Sequence, residues 1–317
     1  MNVFVAGATG ALGRQLVPQL VARGHEVVGM TRSASKQELV RGLGARPVVA
    51  DALDPDAVAA AVADAEPEVI VHQLTALGEG TFDLRHIDRS FAVTNRLRTE
   101  GTDHLLAAGR AVGAKRFVAQ SYAGWPAPRT GGPVKDEDDP LDPDPPERLR
   151  AMLDAIRYLE QTVTTIDWGV GIVLRYGGFY GPGTYVSIDP EGELVTPVRK
   201  RQFPVVGDGG GVWSFIHIDD AAGAAVSALE NWTPGEVYNV VDDAPAPVRE
   251  WLPVLASTIG ARPPRHVPRF VGRLMGEHVV AMMCEIRGAS NAKARALLDW
   301  SPAWPTWREG FTQLSGS

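Results

Sequence analysis

The chain has 317 residues, of which 44% are hydrophobic and 22% are charged, and its formal net charge is -7. This composition is typical of a globular protein with enough apolar residues for one large domain or two modest ones. The acidic balance argues against a general nucleic-acid or membrane-surface binder, because phosphate-rich partners are normally met by an excess of Lys and Arg. We therefore expect a small-molecule substrate, no nucleic-acid or membrane partner, and a monomer or homodimer.

The single cysteine, Cys284, excludes an intrachain disulfide framework and a Cys-rich zinc site. No signal-peptide pattern precedes residues 2–5, and no apolar run approaches the roughly 20 residues needed to cross a bilayer. These features predict a cytoplasmic protein, and we expect no metal site.

The N-terminal segment has the pattern of a β-α-β unit. Residues 3–6 form a short apolar run, Leu12, Leu16 and Leu20 then share one helical face, and residues 27–30 form a second apolar run. Strand and helix patterns continue to alternate, with helices expected at about residues 55–64, 88–111 and 148–162. This alternation predicts a Rossmann-type, doubly wound parallel sheet, whose ligands bind at the carboxyl ends of its strands.

A glycine-rich loop follows the first predicted strand directly and opens the first helix. Its GxxGxxG spacing allows a tight turn, a close approach of backbone to pyrophosphate, and close packing of helix on strand. The helix N-terminus supplies free N–H groups and the positive end of its dipole. The loop therefore predicts a dinucleotide cofactor, with contacts from Gly7, Thr9, Gly10, Ala11, Leu12 and Gly13.

The residues after the second strand distinguish NADP from NAD. A carboxylate at this place holds the ribose 2'-hydroxyl, whereas a cation holds a 2'-phosphate. The sequence has no acid here and offers Arg32, which favours NADP, with NAD as the alternative. Asp51 and Ala52 follow the third strand, where Asp51 is expected to accept a hydrogen bond from the adenine amino group or to stabilise a turn.

Several further motifs resemble those of one enzyme family. The chain resembles an extended or atypical short-chain dehydrogenase/reductase of the NAD-dependent epimerase/dehydratase group over nearly its whole length. The motifs that carry this resemblance are the glycine loop, residues 72–76, Asn95 with residues 100–102, residues 174–183 and residues 215–220.

This resemblance implies a cofactor domain at residues 1–175, with returning segments at about 210–240, and a smaller substrate-binding cap formed mainly by residues 176–317. It also implies further cofactor contacts at Leu74, Thr75, Ala76, Gln120, Tyr176 and Phe179. On the substrate side we expect Trp125, Arg175, Tyr180 and Arg287, although Tyr180 also fits a purely structural turn.

The chain departs from the family at the catalytic pair, Tyr-x-x-x-Lys. In that pair the lysine lowers the pKa of the tyrosine, so that the phenol exchanges a proton while nicotinamide carries hydride. Alignment through the following helix places Met152 and Ile156 at these two positions, and Tyr158 is out of register. Either the proton donor has moved to the end of the fifth strand, with Tyr122 as the acid and Ser121 as an auxiliary donor, or the family's redox chemistry has been lost.

We predict an NADP-dependent oxidoreductase that reduces or oxidises a small carbonyl, alcohol or activated C=C substrate with a non-standard proton donor. One alternative is a nucleotide-sugar epimerase or dehydratase, although those reactions depend on the missing pair. The other is a redox-neutral enzyme or a non-catalytic NADP-binding sensor.

Overall fold

A computed structural model describes residues 1–77, 86–188, 191–231 and 233–313. Its strands are β1 (Asn2–Ala6), β2 (Glu26–Thr31), β3 (Arg46–Val49), β4 (Val69–His72), β5 (Arg116–Tyr122), β6 (Val134–Lys135), β7 (Val170–Tyr176), β8 (Gly178–Tyr180), β9 (Val205–Val206), β10 (Val212–Trp213), β11 (Phe215–His217), β12 (Glu236–Val240), β13 (Ala246–Pro247), β14 (His266–Val267) and β15 (Gly288–Ala289). Its helices are α1 (Ala11–Ala22), α2 (Gln37–Gly42), α3 (Pro55–Ala65), α4 (Ile87–Ser90), α5 (Ala92–Arg96), α6 (Thr102–Val112), α7 (Glu147–Thr164), α8 (Val195–Arg199), α9 (Ile218–Glu230), α10 (Val248–Thr258), α11 (Arg269–Met275), α12 (Glu277–Cys284), α13 (Ala292–Leu297) and α14 (Trp307–Gln313).

One parallel sheet organises the described chain, with strand order β12-β7-β5-β4-β1-β2-β3. Its central strands each contain a run of buried apolar residues, because helices cover both faces. Helices α1 and α9 pack together on one face, while α3 and α6 pack together on the other. The predicted doubly wound Rossmann fold is confirmed.

The C-terminal half adds a separate apolar core beside the sheet. Short strand pairs and helices α10, α12 and α14 enclose the buried rings of Phe215, Trp251, Trp307 and Phe311. Strand β12 and helix α9 return to the main sheet. The division into a cofactor domain and a cap stays a prediction.

The prediction of one continuous helix at residues 88–111 is wrong in detail, because the structure divides this segment into several helical elements. It forms α4 and α5, then a π-helical turn at Leu97–Gly101, and then α6. A π turn inserts an extra residue and so rotates the side chains that precede it relative to those that follow. Within this turn Leu97 and Arg98 are both buried.

Within the described ranges, no helix is long and apolar enough to cross a membrane.

The packing of α1 on the turn after β1 gives a direct test of the fold. A Cβ atom on Gly13 would collide with the carbonyl of Gly7, which is rigid backbone, whereas a Cβ atom on Gly42 would meet open space. We expect Gly13→Ala to lower the free energy of unfolding by about 3 kcal/mol, as overpacking does. Gly42→Ala should leave it unchanged or raise it by less than about 1 kcal/mol. Urea unfolding of both variants tests this, and equal stability of the two would contradict the packing described.

Candidate active site

A cleft of about 660 Å³ lies at the carboxyl ends of the central strands. It extends from the end of β2, past β1, β4 and β5, to the segment after β7. All the predicted cofactor residues line it except Gly13, namely Gly7, Thr9, Gly10, Ala11, Leu12, Arg32, Asp51, Ala52, Leu74, Thr75, Ala76, Gln120, Tyr176 and Phe179.

The glycine turn forms the middle of the cleft wall. Gly7 has φ +99°, a left-handed conformation that favours glycine, and a Cβ atom there would approach the carbonyl oxygen of Gln73 to 2.8 Å. Gly10 precedes α1 in an extended conformation, and no side chain caps the helix. The N-terminal N–H groups of α1 therefore face the cleft without a competing side-chain acceptor, as a pyrophosphate site requires. Gly13 packs behind the turn.

Three basic side chains line this part of the cleft: Arg32 and Lys36, which follow β2, and Arg14 on α1. Arg14 lies over the glycine turn, where its Nε donates to the carbonyl oxygen of Thr9 at 3.0 Å. Asp51 stands nearby, and its Oδ1 accepts a hydrogen bond from the backbone N of Leu53 at 3.0 Å. One carboxylate oxygen of Asp51 thus stabilises a turn, while the residue still lines the cleft.

His72 fixes the wall of the cleft beyond the glycine turn. Burial lowers the pKa of His72 to about 4, so the ring is neutral at physiological pH. Its Nε2 lies 3.2 Å from the carbonyl oxygen of Leu97, and its Nδ1 accepts a hydrogen bond from the backbone N of Leu74 at 3.2 Å. The neutral ring with its proton on Nε2 satisfies both contacts, and it joins the end of β4 to the π turn.

Several buried polar atoms at the inner end of the cleft have no hydrogen-bonding partner among the described residues. They are both amide atoms of Gln73, Nη1 of Arg98, and the hydroxyl groups of Tyr176 and Tyr185, although the Tyr176 hydroxyl lies beside the Gln73 amide and the Tyr185 hydroxyl beside that of Tyr122. All four residues line the cleft. Because an unpaired buried polar group costs about 1–3 kcal/mol, this cluster is what a polar ligand would satisfy.

Tyr122 ends β5 and lines the same region. Burial raises the pKa of Tyr122 to about 12, although the charge of Arg98 and the neighbouring Tyr185 hydroxyl oppose the rise. Met152 and Ile156 belong to the apolar cluster that packs against the Tyr122 ring. Helix α7 contains no lysine, and its only tyrosine, Tyr158, donates to Asp103 at 2.8 Å on the protein surface.

Ser121 does not line the cleft. Its hydroxyl is buried and donates to Oε1 of Glu160 at 2.7 Å. Arg175 donates to both oxygens of the same carboxylate, at 2.8 and 2.6 Å. Ser121 and Arg175 are therefore held in a buried ionic network behind Tyr122.

The other predicted substrate residues also lie outside the lining of the cleft. Trp125 packs near Tyr122, with 6.2 Å between the ring centroids. Tyr180 is fully buried in the C-terminal core, in edge contact with His217 and Phe311, which is the structural role weighed above. The Arg287 backbone lies against Gly124.

Among the cleft-lining residues that the sequence predictions missed are Arg14, Lys36, Gln73, Arg98 and Tyr185. Arg14 and Lys36 carried a usable signal, since both are basic and lie within a few residues of the glycine loop and of Arg32. Arg98 carried no such signal in the sequence, because the regular helix predicted over residues 88–111 does not reveal which side chains a π turn brings inward.

The fold and the cleft define a dinucleotide-binding α/β protein. Residues 3–241 match the model of the NAD dependent epimerase/dehydratase family. The chain belongs to that family, as the sequence motifs predicted, and its cofactor is a nicotinamide dinucleotide.

One relative resembles the chain over nearly its full length. The "3-diazoavenalumate denitrifying reductase" of a Streptomyces species is 48% identical over 313 residues, covering 98% of this chain and 99% of the relative. This relative confirms the prediction of an enzyme of the oxidoreductase class.

Two solved structures share the fold. UDP-glucose 4-epimerase from Thermotoga maritima has a TM-score of 0.77 and 22% identity, covering 100% of this chain and 98% of that one. A human epimerase family protein solved with NADPH has a TM-score of 0.74 and 21% identity, and each chain covers 100% of the other.

The neutral His72 predicts a specific loss of stability in acid. The unfolded chain takes up a proton on this residue near pH 6.5, whereas the native ring stays neutral down to about pH 4. The unfolded state therefore binds more protons in this window, and stability falls as the pH falls. Between pH 7 and pH 4, the wild type should lose about 3 kcal/mol more than His72→Gln. Urea unfolding at both pH values measures the difference, and parallel losses would contradict a neutral His72.

Proposed function

We propose that this protein is an NADPH-dependent reductase that delivers hydride to a small organic substrate bound beside Tyr122. The proposal rests on one observation, which is that the two ends of the cleft differ in the side chains that line them. Basic side chains gather at the β2 end, and unpartnered polar groups gather near the end of β5. The glycine turn lies between them, where it would hold the pyrophosphate.

The β2 end supports NADPH over NADH. Arg32 and Lys36 would hold the ribose 2'-phosphate, since arginine pairs well with phosphate oxygens and lysine adds a second positive charge. Arg14, on α1, would add to the positive electrostatic potential around the 2'-phosphate. The carboxylate of Asp51 lies after β3, one strand further along, where it would accept a hydrogen bond from the adenine amino group.

The β5 end supports Tyr122 as the proton donor when the substrate is a carbonyl or an activated alkene. The bound nicotinamide supplies the hydride. Tyr122 stays protonated at physiological pH because its pKa is raised to about 12, and an alkoxide is basic enough to take its proton. Ser121 would act indirectly, by holding Glu160 and thereby the end of β5.

A second substrate class is an aryl diazonium group, favoured by the 48% identity to a denitrifying reductase. A ketone takes up hydride and a proton to become an alcohol. An aryl diazonium ion that takes up hydride releases N₂ and becomes the arene, with no proton consumed. An apolar wall at Met152 and Ile156 in place of an acid–base pair suits this second reaction.

Cofactor choice is tested with Arg32→Gln. Losing one charge-assisted contact to the 2'-phosphate should weaken NADPH binding about tenfold to a hundredfold, and it should leave NADH binding unchanged. Arg41→Gln removes an arginine that pairs with Glu38 outside the cleft and serves as the matched control. Fluorescence titration of both nucleotides measures the effect. Equal losses for NADPH and NADH would place Arg32 away from the 2'-phosphate.

Substrate class is tested with Tyr122→Phe in a stopped-flow assay of NADPH oxidation. Reduction of an aryl ketone should slow by about a hundredfold or more, because a general acid is lost. Reduction of an aryl diazonium ion should continue at close to the wild-type rate, because it needs no acid. Tyr158→Phe is the control, since that hydroxyl binds Asp103 at the surface. Tight NADPH binding without turnover of either substrate would contradict the proposed function.

A further inference from the structure

Arg98 is a buried cation that has no hydrogen-bonded carboxylate of its own among the residues that the structure describes. Only 4% of the residue is exposed, and its Nη1 has no partner among the described residues. The nearby acid Glu160 is already engaged, since Arg175 binds both of its oxygens and Ser121 donates to one of them. Burying an unpaired charge is costly, so a protein retains one where a ligand supplies the counter-charge.

A π turn in the backbone places the Arg98 side chain in the cleft. Arg98 lies in the π turn Leu97–Gly101, between α5 and α6. Its neighbour Leu97 accepts the contact from His72, which ties the turn to the end of β4. The preceding arginine, Arg96, is exposed and binds Glu100 through two hydrogen bonds. The same short segment thus holds one arginine paired at the surface and another inside the cleft.

The position of Arg98 separates it from the proposed 2'-phosphate site. Its electrostatic neighbours are Tyr122, at the end of β5, His72, at the end of β4, and Glu160. Strand β5 lies three strand spacings from β2 in the sheet, which is about 14 Å. Arg32 follows β2, so Arg98 is too far from that end of the cleft to share a 2'-phosphate. The anion that Arg98 serves is therefore not the 2'-phosphate, and the closeness of Arg98 to Tyr122 favours a group of the substrate.

We propose that Arg98 anchors a subsite for an anionic oxygen of the substrate, a carboxylate or a phenolate, with Tyr122 and Tyr185 forming its other walls. This inference rests on the proposed function, because the anion is assigned to the molecule that accepts hydride. The pKa of Arg98 is lowered to about 10 by burial, so the side chain keeps its charge at neutral pH. An anion held there would be oriented against Tyr122.

Benzoate and benzamide test the subsite by binding alone. Isothermal titration of each compound into the free protein and into the NADP⁺-loaded protein needs no turnover. Benzoate should bind the wild type, and neutral benzamide should bind at least tenfold more weakly. Arg98→Met should weaken benzoate at least tenfold and leave the NADP⁺ affinity unchanged, whereas Arg98→Lys should retain part of the benzoate affinity. The surface control, Arg96→Met, should bind benzoate as the wild type does.

Stability distinguishes a binding role from a structural one. Because Arg175 continues to neutralise Glu160, Arg98→Met should leave the thermal midpoint of the free protein unchanged or raise it. A structural ion pair would instead lower it. Benzoate should raise the midpoint of the wild type and not that of Arg98→Met.

Three results would overturn the subsite: no benzoate binding to the wild type in either state, equal binding of benzamide, or loss of NADP⁺ affinity in Arg98→Met. If benzoate binds as expected while NADPH is never oxidised, the subsite stands and the proposed reductase function fails.

Discussion

The close packing of α1 against the turn after β1 is the constraint on which the rest of the site depends. Gly13 lets the helix touch the backbone of Gly7, and Gly7 in turn approaches Gln73 at the end of β4. Two neighbouring strand ends are thereby drawn under one helix N-terminus. This junction lies in the middle of the cleft, with basic side chains toward β2 and the unpartnered polar groups toward β5.

The chemistry at the inner end differs from what the family motifs imply. Met152 and Ile156, which the sequence analysis predicts to stand in place of the tyrosine and lysine, form an apolar wall behind Tyr122. The fixed positive charge near Tyr122 comes instead from Arg98, on a different element. An epimerase or dehydratase must move protons as well as hydride, and this arrangement offers phenols whose pKa values are raised by burial. This arrangement is better suited to hydride delivery that is accompanied by the transfer of one proton or of none.

Much of the fold could be predicted from local pattern. The apolar strands and the glycine spacing act within a few residues, and the structure has them where expected. The cleft at the carboxyl ends of the strands was predictable as well, because parallel strand ends converge. The surroundings of the residues expected on the substrate side could not be predicted in this way. Arg175 and Tyr180 sit in motifs that resemble a site, yet their partners, Glu160 and Phe311, are distant in sequence and hold them elsewhere. Arg98 is brought into the cleft by a π turn that periodicity does not reveal.

The fate of the hydride tests the account most directly. The protein is mixed with NADPH deuterated at the transferable C4 position and with an aryl ketone or an aryl diazonium ion, and product and nucleotide are analysed by mass spectrometry after a single turnover. A reductase places the deuterium in the isolated product and leaves NADP⁺, at a rate above that without protein. Deuterium retained in the nucleotide with both substrates would contradict the account, and would favour a redox-neutral or sensing role for the bound cofactor.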